Sequence, residues 1–265
     1  MTLAQHTDYR IRYQQQVDNA RSDVLPFIES SVRIGPDKRV LDIGCGEGGV
    51  LIPFLERGCR VTGIELDETK SGHARELLGS YIAAGQAEVV NQDIYEERAL
   101  ETYRDAFDLI ILKDVIEHIP DQERFMPYLK QFLKPGGHVF LGFPPWYMPH
   151  GGHQQVCANR FLSMLPYFHL LPNPMYKAVL KMGGEGEHVI KDLMEVKSTG
   201  ISIERLERIA RKSQYVVVKR TLYLVNPIYR YKFGWKPREQ WAPVSQLPLL
   251  RNFVTTCAYY LLRAD

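Results

Sequence analysis

The sequence predicts an α/β protein built on a doubly wound, mostly parallel sheet, and three observations predict it. Across residues 38–143, apolar runs of strand length alternate with helix-like stretches, the pattern of βαβ units joined by right-handed crossovers. The run LIIL at 109–112 is continuously apolar, as a strand covered on both faces must be. A glycine-rich turn at 44–49 follows the first strand directly and opens onto a helix.

In chain order, RVLDIGC reads as the first strand, VLIPFLERG as a helix, CRVTGIEL as the second strand and AEVVNQD as the third. FDLIILKD reads as the fourth strand, ERFMPYLKQFL as a helix and HVFLGFP as the fifth strand. Pro144, Pro145 and Pro149 then break regular structure. The aromatic stretch bracketed by Gly151-Gly152 and Gly183-Gly184 reads as a helical insertion, so residues 144–200 are expected to cap or lid a single domain spanning 1–265. A helix at 202–213 is capped by Ser202, with Ile203, Leu206, Ile209 and Ala210 on one face. Strands are expected near 215–224 and 252–262.

The totals fit that plan. At 265 residues the chain suits one large domain with an insertion, and no apolar run approaches the ~20 residues of a spanning helix. The first twenty residues lack the apolar core of a secretory signal. Cys45, Cys59, Cys157 and Cys257 are scattered without a CxxC pair, which suggests neither a disulfide framework nor a zinc site, and a cytoplasmic location is expected. Residues 204–265 carry 12 Lys or Arg against 4 Asp or Glu, a basic surplus that reports steering rather than chemistry.

The chemistry concentrates at strand ends. A glycine-rich turn between strand and helix admits close backbone approach to a nucleotide, and Gly44, Gly46 and Gly49 also satisfy the G-x-G-x-x-G of NAD-binding proteins. Asp42, two residues earlier, decides between the two: a carboxylate there opposes a pyrophosphate but attracts a sulfonium or ammonium, which favours S-adenosylmethionine. Glu65 ends the second strand, where an acid accepts hydrogen bonds from ribose hydroxyls. Asp93 ends the third and offers an acceptor to the adenine amino group, with Ile94 as an apolar shelf.

The order of these motifs resembles the class I S-adenosylmethionine-dependent methyltransferases, in particular those with a DVxEH sequence after strand four. VLDIGCGEGG, Glu65, NQDI, FDLIILKDVIEHI and LKPGGHVFLGFP are similar to the family's five motifs, over about residues 39–144. The resemblance implies a seven-stranded sheet with an antiparallel last strand. It implies that Asp42, Gly44 and Gly46 contact the methionine end of the cofactor, Glu65 its ribose, and Asp93 with Ile94 its adenine. Cys45 and Leu66, in the same two turns, complete that set. Lys113 and Asp114 would face the cofactor near its methyl group, and an N-terminal helix would bring Tyr13, or Tyr9, over it. Helix packing serves these tyrosines equally well.

His118 is the first candidate for a catalytic base and His153 the second, since a neutral imidazole can take a proton from a hydroxyl. A helix-terminal structural role for His118, a capping role for Asp114 and a solvated Lys113 stand beside these readings. His150 and His153 lie three apart, but no clear third ligand accompanies them and no metal centre is expected. The stretch YRYKFGWKPR at 229–238 interleaves aromatics and cations as single-strand nucleic-acid platforms do, but reads better as a loop over the sheet edge. The expected acceptor is therefore a small-molecule, lipid-like or glycan hydroxyl ahead of nucleic acid, with peripheral membrane contact open to the aromatic insertion. An NAD-dependent oxidoreductase and a non-catalytic adenosyl-binding module are the rival functions.

Overall fold

The computed structural model describes residues 8–265. Its centre is one sheet with the strand order β3-β2-β1-β4-β5-β8-β6-β7. The strands are β1 (Arg39–Ile43), β2 (Arg60–Glu65), β3 (Ala87–Asn91), β4 (Phe107–Lys113), β5 (Leu133–Phe143), β6 (Tyr215–Val225), β7 (Arg238–Glu239) and β8 (Cys257–Ala264). The first five pair in parallel, and β8 lies antiparallel between β5 and β6. Seven strands thus follow the expected plan. The eighth, β7, is a two-residue edge on β6, too short for periodicity to reveal.

The sheet separates two cores because side chains alternate along each strand. Leu41, Ile110 and Leu112 face the helices Gln122–Leu129 and Ile203–Lys212, while Val40, Leu109 and Ile111 face the helical segment around Val24, Leu25 and Ile28. Both faces of LIIL are therefore covered, as its uninterrupted apolar character demanded. Each such fully buried Leu or Ile contributes roughly 1.5–3 kcal/mol against exposure. The last strand begins later than expected, at Cys257. Residues before it form the short helix Leu250–Val254, held by Asn252, whose side chain accepts from the Ile203 amide and donates to Glu204.

The inserted region carries the helices Asn173–Met182 and Glu187–Thr199, with a third apolar cluster of Leu162, Phe168, Tyr176, Leu180, Ile190 and Leu193. Its two ends are joined to each other, and its last helix to the turn after β4. Trp146 donates its amide to the Ile201 carbonyl at 2.8 Å, and the Thr199 hydroxyl donates to the Glu117 carbonyl at 2.6 Å. Gln122, buried in the sheet domain, donates to the carbonyls of both Ile116 and Thr199.

The strand order reverses between β1 and β4, which places the crevice of the fold at the C-terminal ends of those two strands. No helix among the described residues is long and apolar enough to cross a membrane.

Candidate active site

A cavity of about 190 Å³ opens at that reversal point, lined by Asp42, Gly44, Cys45, Gly46, Glu65, Lys113 and Asp114 from the expected set. The turn after β1 is forced into place by its glycines. Gly44 sits at φ +71, and a β carbon on it would stand 2.7 Å from a Val115 methyl. The Gly44 and Cys45 amides both donate to the Ile64 carbonyl, and the Gly46 amide donates to Glu65 at 2.8 Å. These three donors are thus occupied within the protein, whereas a pyrophosphate-binding turn keeps its amides for the ligand.

Asp42 is 1% exposed, and its Oδ2 is buried without a hydrogen-bond partner. Burial, then the negative charge of Glu65, hold its carboxyl well above the ordinary range, against the pull of the Lys113 ammonium. Other charges around the cavity have direct partners: Arg12 with Glu47, and Lys113 with Asp114. Glu65 accepts from the Gly46 and Asp67 amides. What remains uncompensated is the Asp42 oxygen, a place for a ligand's positive charge and a costly neighbour for an anion.

The N-terminal helix Tyr9–Asn19 does lie over the turn, as expected, but through other residues. Arg12, Gln16 and Asn19 line the cavity, whereas Tyr13 packs against the core and its carbonyl lies 2.7 Å from where a β carbon on Gly49 would be. Tyr9 stacks on His73, 3.8 Å between ring centroids. Sequence reasoning missed Arg12 and Glu47; Glu47 lies inside the glycine turn and is 1% exposed. Ile228 also lines the cavity, and the stretch read as an edge loop begins instead with the helix Tyr229–Phe233, packed on the N-terminal helix where Gln15 donates to the Tyr231 carbonyl.

Asp93 and Ile94 lie outside the lined cavity. The Asp93 carboxylate accepts from the Tyr95 amide, and Ile94 is buried in the core, so its side chain forms no open shelf. Leu66 is instead the exposed apolar group at that end, 69% accessible, and Asn91 fixes its turn by donating to the Glu65 and Leu66 carbonyls.

Beyond Asp114, a second constellation assembles. His118 and His153 meet edge to face with ring centroids 5.0 Å apart, and Glu117 joins them. His153 pairs with His118 rather than with its sequence neighbour His150, and the third polar group missing from the sequence reading comes from β4's following turn. Glu117 is 3% exposed with both carboxylate oxygens unpartnered; burial, then Asp114, raise its carboxyl well above the usual range. Burial, reinforced by His118, pulls His153 down to about 4, leaving that imidazole neutral at physiological pH. Two backbone positions here are strained: Asp114 at φ +57 and His153 at φ +56.

The loop bearing His153 is rigidly held. A β carbon on Gly152 would stand 2.3 Å from Cβ of His169, which is itself buried with Nε2 2.9 Å from the Trp146 carbonyl. Gln154, also buried, donates to the Pro149 and Leu165 carbonyls.

A family described as "Methyltransferase domain" matches residues 12–166, more than half of the chain. The chain belongs to the class I S-adenosylmethionine-dependent methyltransferases. Curated relatives of this methyltransferase include ubiquinone biosynthesis O-methyltransferases. That of Pseudomonas aeruginosa strain UCBPP-PA14 is 34% identical over 105 residues, and that of Nitrosococcus oceani 39% identical over 105. These matches cover 39% of this chain and 43% and 42% of the relatives, less than half of either protein. In fold it is similar to a methyltransferase of Thermotoga maritima, with TM-score 0.53 and 14% identity over 96% of this chain and 94% of that one. The geranyl diphosphate C-methyltransferase of Streptomyces coelicolor gives TM-score 0.54 and 14% identity over 92% and 79%. The family's cofactor carries a sulfonium and an ammonium, and the orphaned Asp42 oxygen fits such a group.

Proposed function

We propose that this methyltransferase moves the methyl group of S-adenosylmethionine to a hydroxyl oxygen of a small acceptor, lipid-like or glycan-like acceptors included. The observation that carries the reading is Asp42: a buried carboxylate with a vacant acceptor oxygen, at the base of a glycine turn whose amides are already occupied. The cofactor supplies an electrophilic methyl on a cationic sulfur. The cavity is smaller than the ~300–1,000 Å³ of typical whole-ligand sites, so it suits the compact charged end, with the adenosyl part extending toward Glu65 and Leu66.

For the acceptor, the reading rests on the His118–His153 pair beside Asp114, and on relatives whose names record O-methylation. A neutral imidazole there accepts the hydroxyl's hydrogen bond and then its proton as the O–CH3 bond forms and the S–CH3 bond breaks. Residues 144–200 act as the lid that delivers His153 and excludes water, and alignment of the two reactants supplies most of the acceleration.

Calorimetric titration with S-adenosylmethionine and with NADH, followed by a panel of phenols and alcohols, tests the reading. Saturable binding of the former alone, and methyl ether formation, are expected. NADH binding in its place would overturn the cofactor; turnover confined to amines would overturn the acceptor.

A further inference from the structure

We propose that Glu117, His118 and His153 form a binding site for a divalent first-row transition cation, of the Zn²⁺ or Mn²⁺ type, beside the methyl-transfer cavity. It rests on the proposed function only in its purpose, that of receiving an acceptor oxygen; the site itself stands on the following geometry.

One potential ligand atom from each of the three residues lies within 4.8 Å of the other two. A cation bonded to all three at the ~2.0–2.2 Å that imidazole nitrogen and carboxylate oxygen make to zinc would draw them slightly closer together. Two nitrogens and one oxygen are a donor set for transition cations, whereas Mg²⁺ and Ca²⁺ prefer oxygen throughout. Three protein ligands also leave positions open, the mark of sites that bind a substrate rather than only hold a fold.

One feature of the surroundings points to a ligand, and two more shape the place it would occupy. Glu117 is buried with neither carboxylate oxygen hydrogen-bonded, although a buried acid in a finished core finds a partner. Its backbone carbonyl accepts from the Thr199 hydroxyl, which ties the residue to the end of the insertion. His153 adopts a left-handed backbone on a loop that Gly152, His169 and Gln154 leave no room to relax, and this strain aims its ring at His118. Asp114 adds negative charge beside all three residues, opposed by Lys113 at Glu117, Lys70 at His118 and Lys232 at His153.

The cation would tie the insertion, through His153, to the turn after β4, through Glu117 and His118. As a Lewis acid at its open positions it would favour loss of the acceptor's hydroxyl proton to solvent. In that state the imidazoles serve as ligands instead of proton acceptors.

The test uses the full chain stripped with a chelator and titrated calorimetrically with Mn²⁺, Zn²⁺ and Mg²⁺ as the metals alone. One equivalent of Mn²⁺ or Zn²⁺ should bind, with Mg²⁺ weaker. Glu117→Gln and His153→Asn, the latter chosen because Asn tolerates the left-handed backbone, should each weaken binding at least ~10-fold. S-adenosylhomocysteine affinity of each variant, measured in parallel, reports whether it is folded. No saturable metal binding, or binding unchanged in both variants, overturns the site. Metal binding that persists in a protein binding no S-adenosyl ligand would sustain this site while sinking the proposed function.

Discussion

Asp42, near the end of β1, and Glu117, in the turn that follows the adjacent β4, are both buried with carboxylate oxygens lacking a partner. Their surroundings differ. Asp42 lies beneath the turn that follows it, which is bonded to Ile64 and Glu65 of the strand alongside. Glu117 is enclosed by groups far along the chain, His153 from the insertion and Thr199 from its last helix. The floor of the proposed donor site is thus built largely within one strand–turn–strand unit, with the N-terminal helix laid over it, whereas the groups proposed for the acceptor side meet only through the path of residues 144–200.

That contrast can be broken or sharpened by substitution. The largest effect is expected at Asp42→Asn, which should weaken S-adenosylhomocysteine binding by roughly 30-fold or more, the ~2 kcal/mol or above lost when one member of a buried charge pair is removed. The same variant should raise the melting temperature of the ligand-free protein. The folded-state acid is raised above its unfolded value of ~3.9, so its contribution is intact below about pH 4 and declines as pH rises. The gain over wild type should therefore be nil near pH 4 and grow toward neutrality; a melting temperature lowered at pH 7 would show that Asp42 has a partner in the ligand-free state.

Gly152→Ala should come next. A β carbon there meets His169, so the loop must shift at a cost of about 1–3 kcal/mol. Turnover should fall with the displacement of His153 while S-adenosylhomocysteine binding holds. Joint loss of both in calorimetry would mean that the two halves of the site are not independent. Tyr13→Phe should have the smallest effect, within about twofold in cofactor affinity, because its hydroxyl lies off the cavity; a tenfold loss would restore Tyr13 to the site that the sequence resemblance gave it.

The same division governs what could be read from the sequence. Asp42, the glycines and Glu65 are contiguous with strands whose periodicity is strong, so residue type and position together disclose them. The continuous apolar run of β4 disclosed its double burial for the same reason. Arg12 and Gln16 reach the cavity only because a helix lies across the turn, and nothing in their own neighbourhood signals it. The grouping of Glu117 with His153 depends on a loop path through Gly151 and Gly152 that no local pattern encodes. Charge counting also misses pairing: Arg251 is buried between Glu204 and Glu207, an acidic-rich cluster that leaves the basic surplus of this stretch to its other residues.

The helix Tyr9–Asn19 has one more consequence. It presses on the glycine turn at Gly49, pairs Arg12 with Glu47, and is strapped at its other end through Tyr9 on His73 and Arg10 on Glu76. A spent cofactor whose charged end lies beneath it leaves by one of two routes: backing out adenine-first past Leu66, or waiting for the strap to lift. On the proposed placement of the cofactor, this latch is the part of the site that must yield before the charged end can leave sideways.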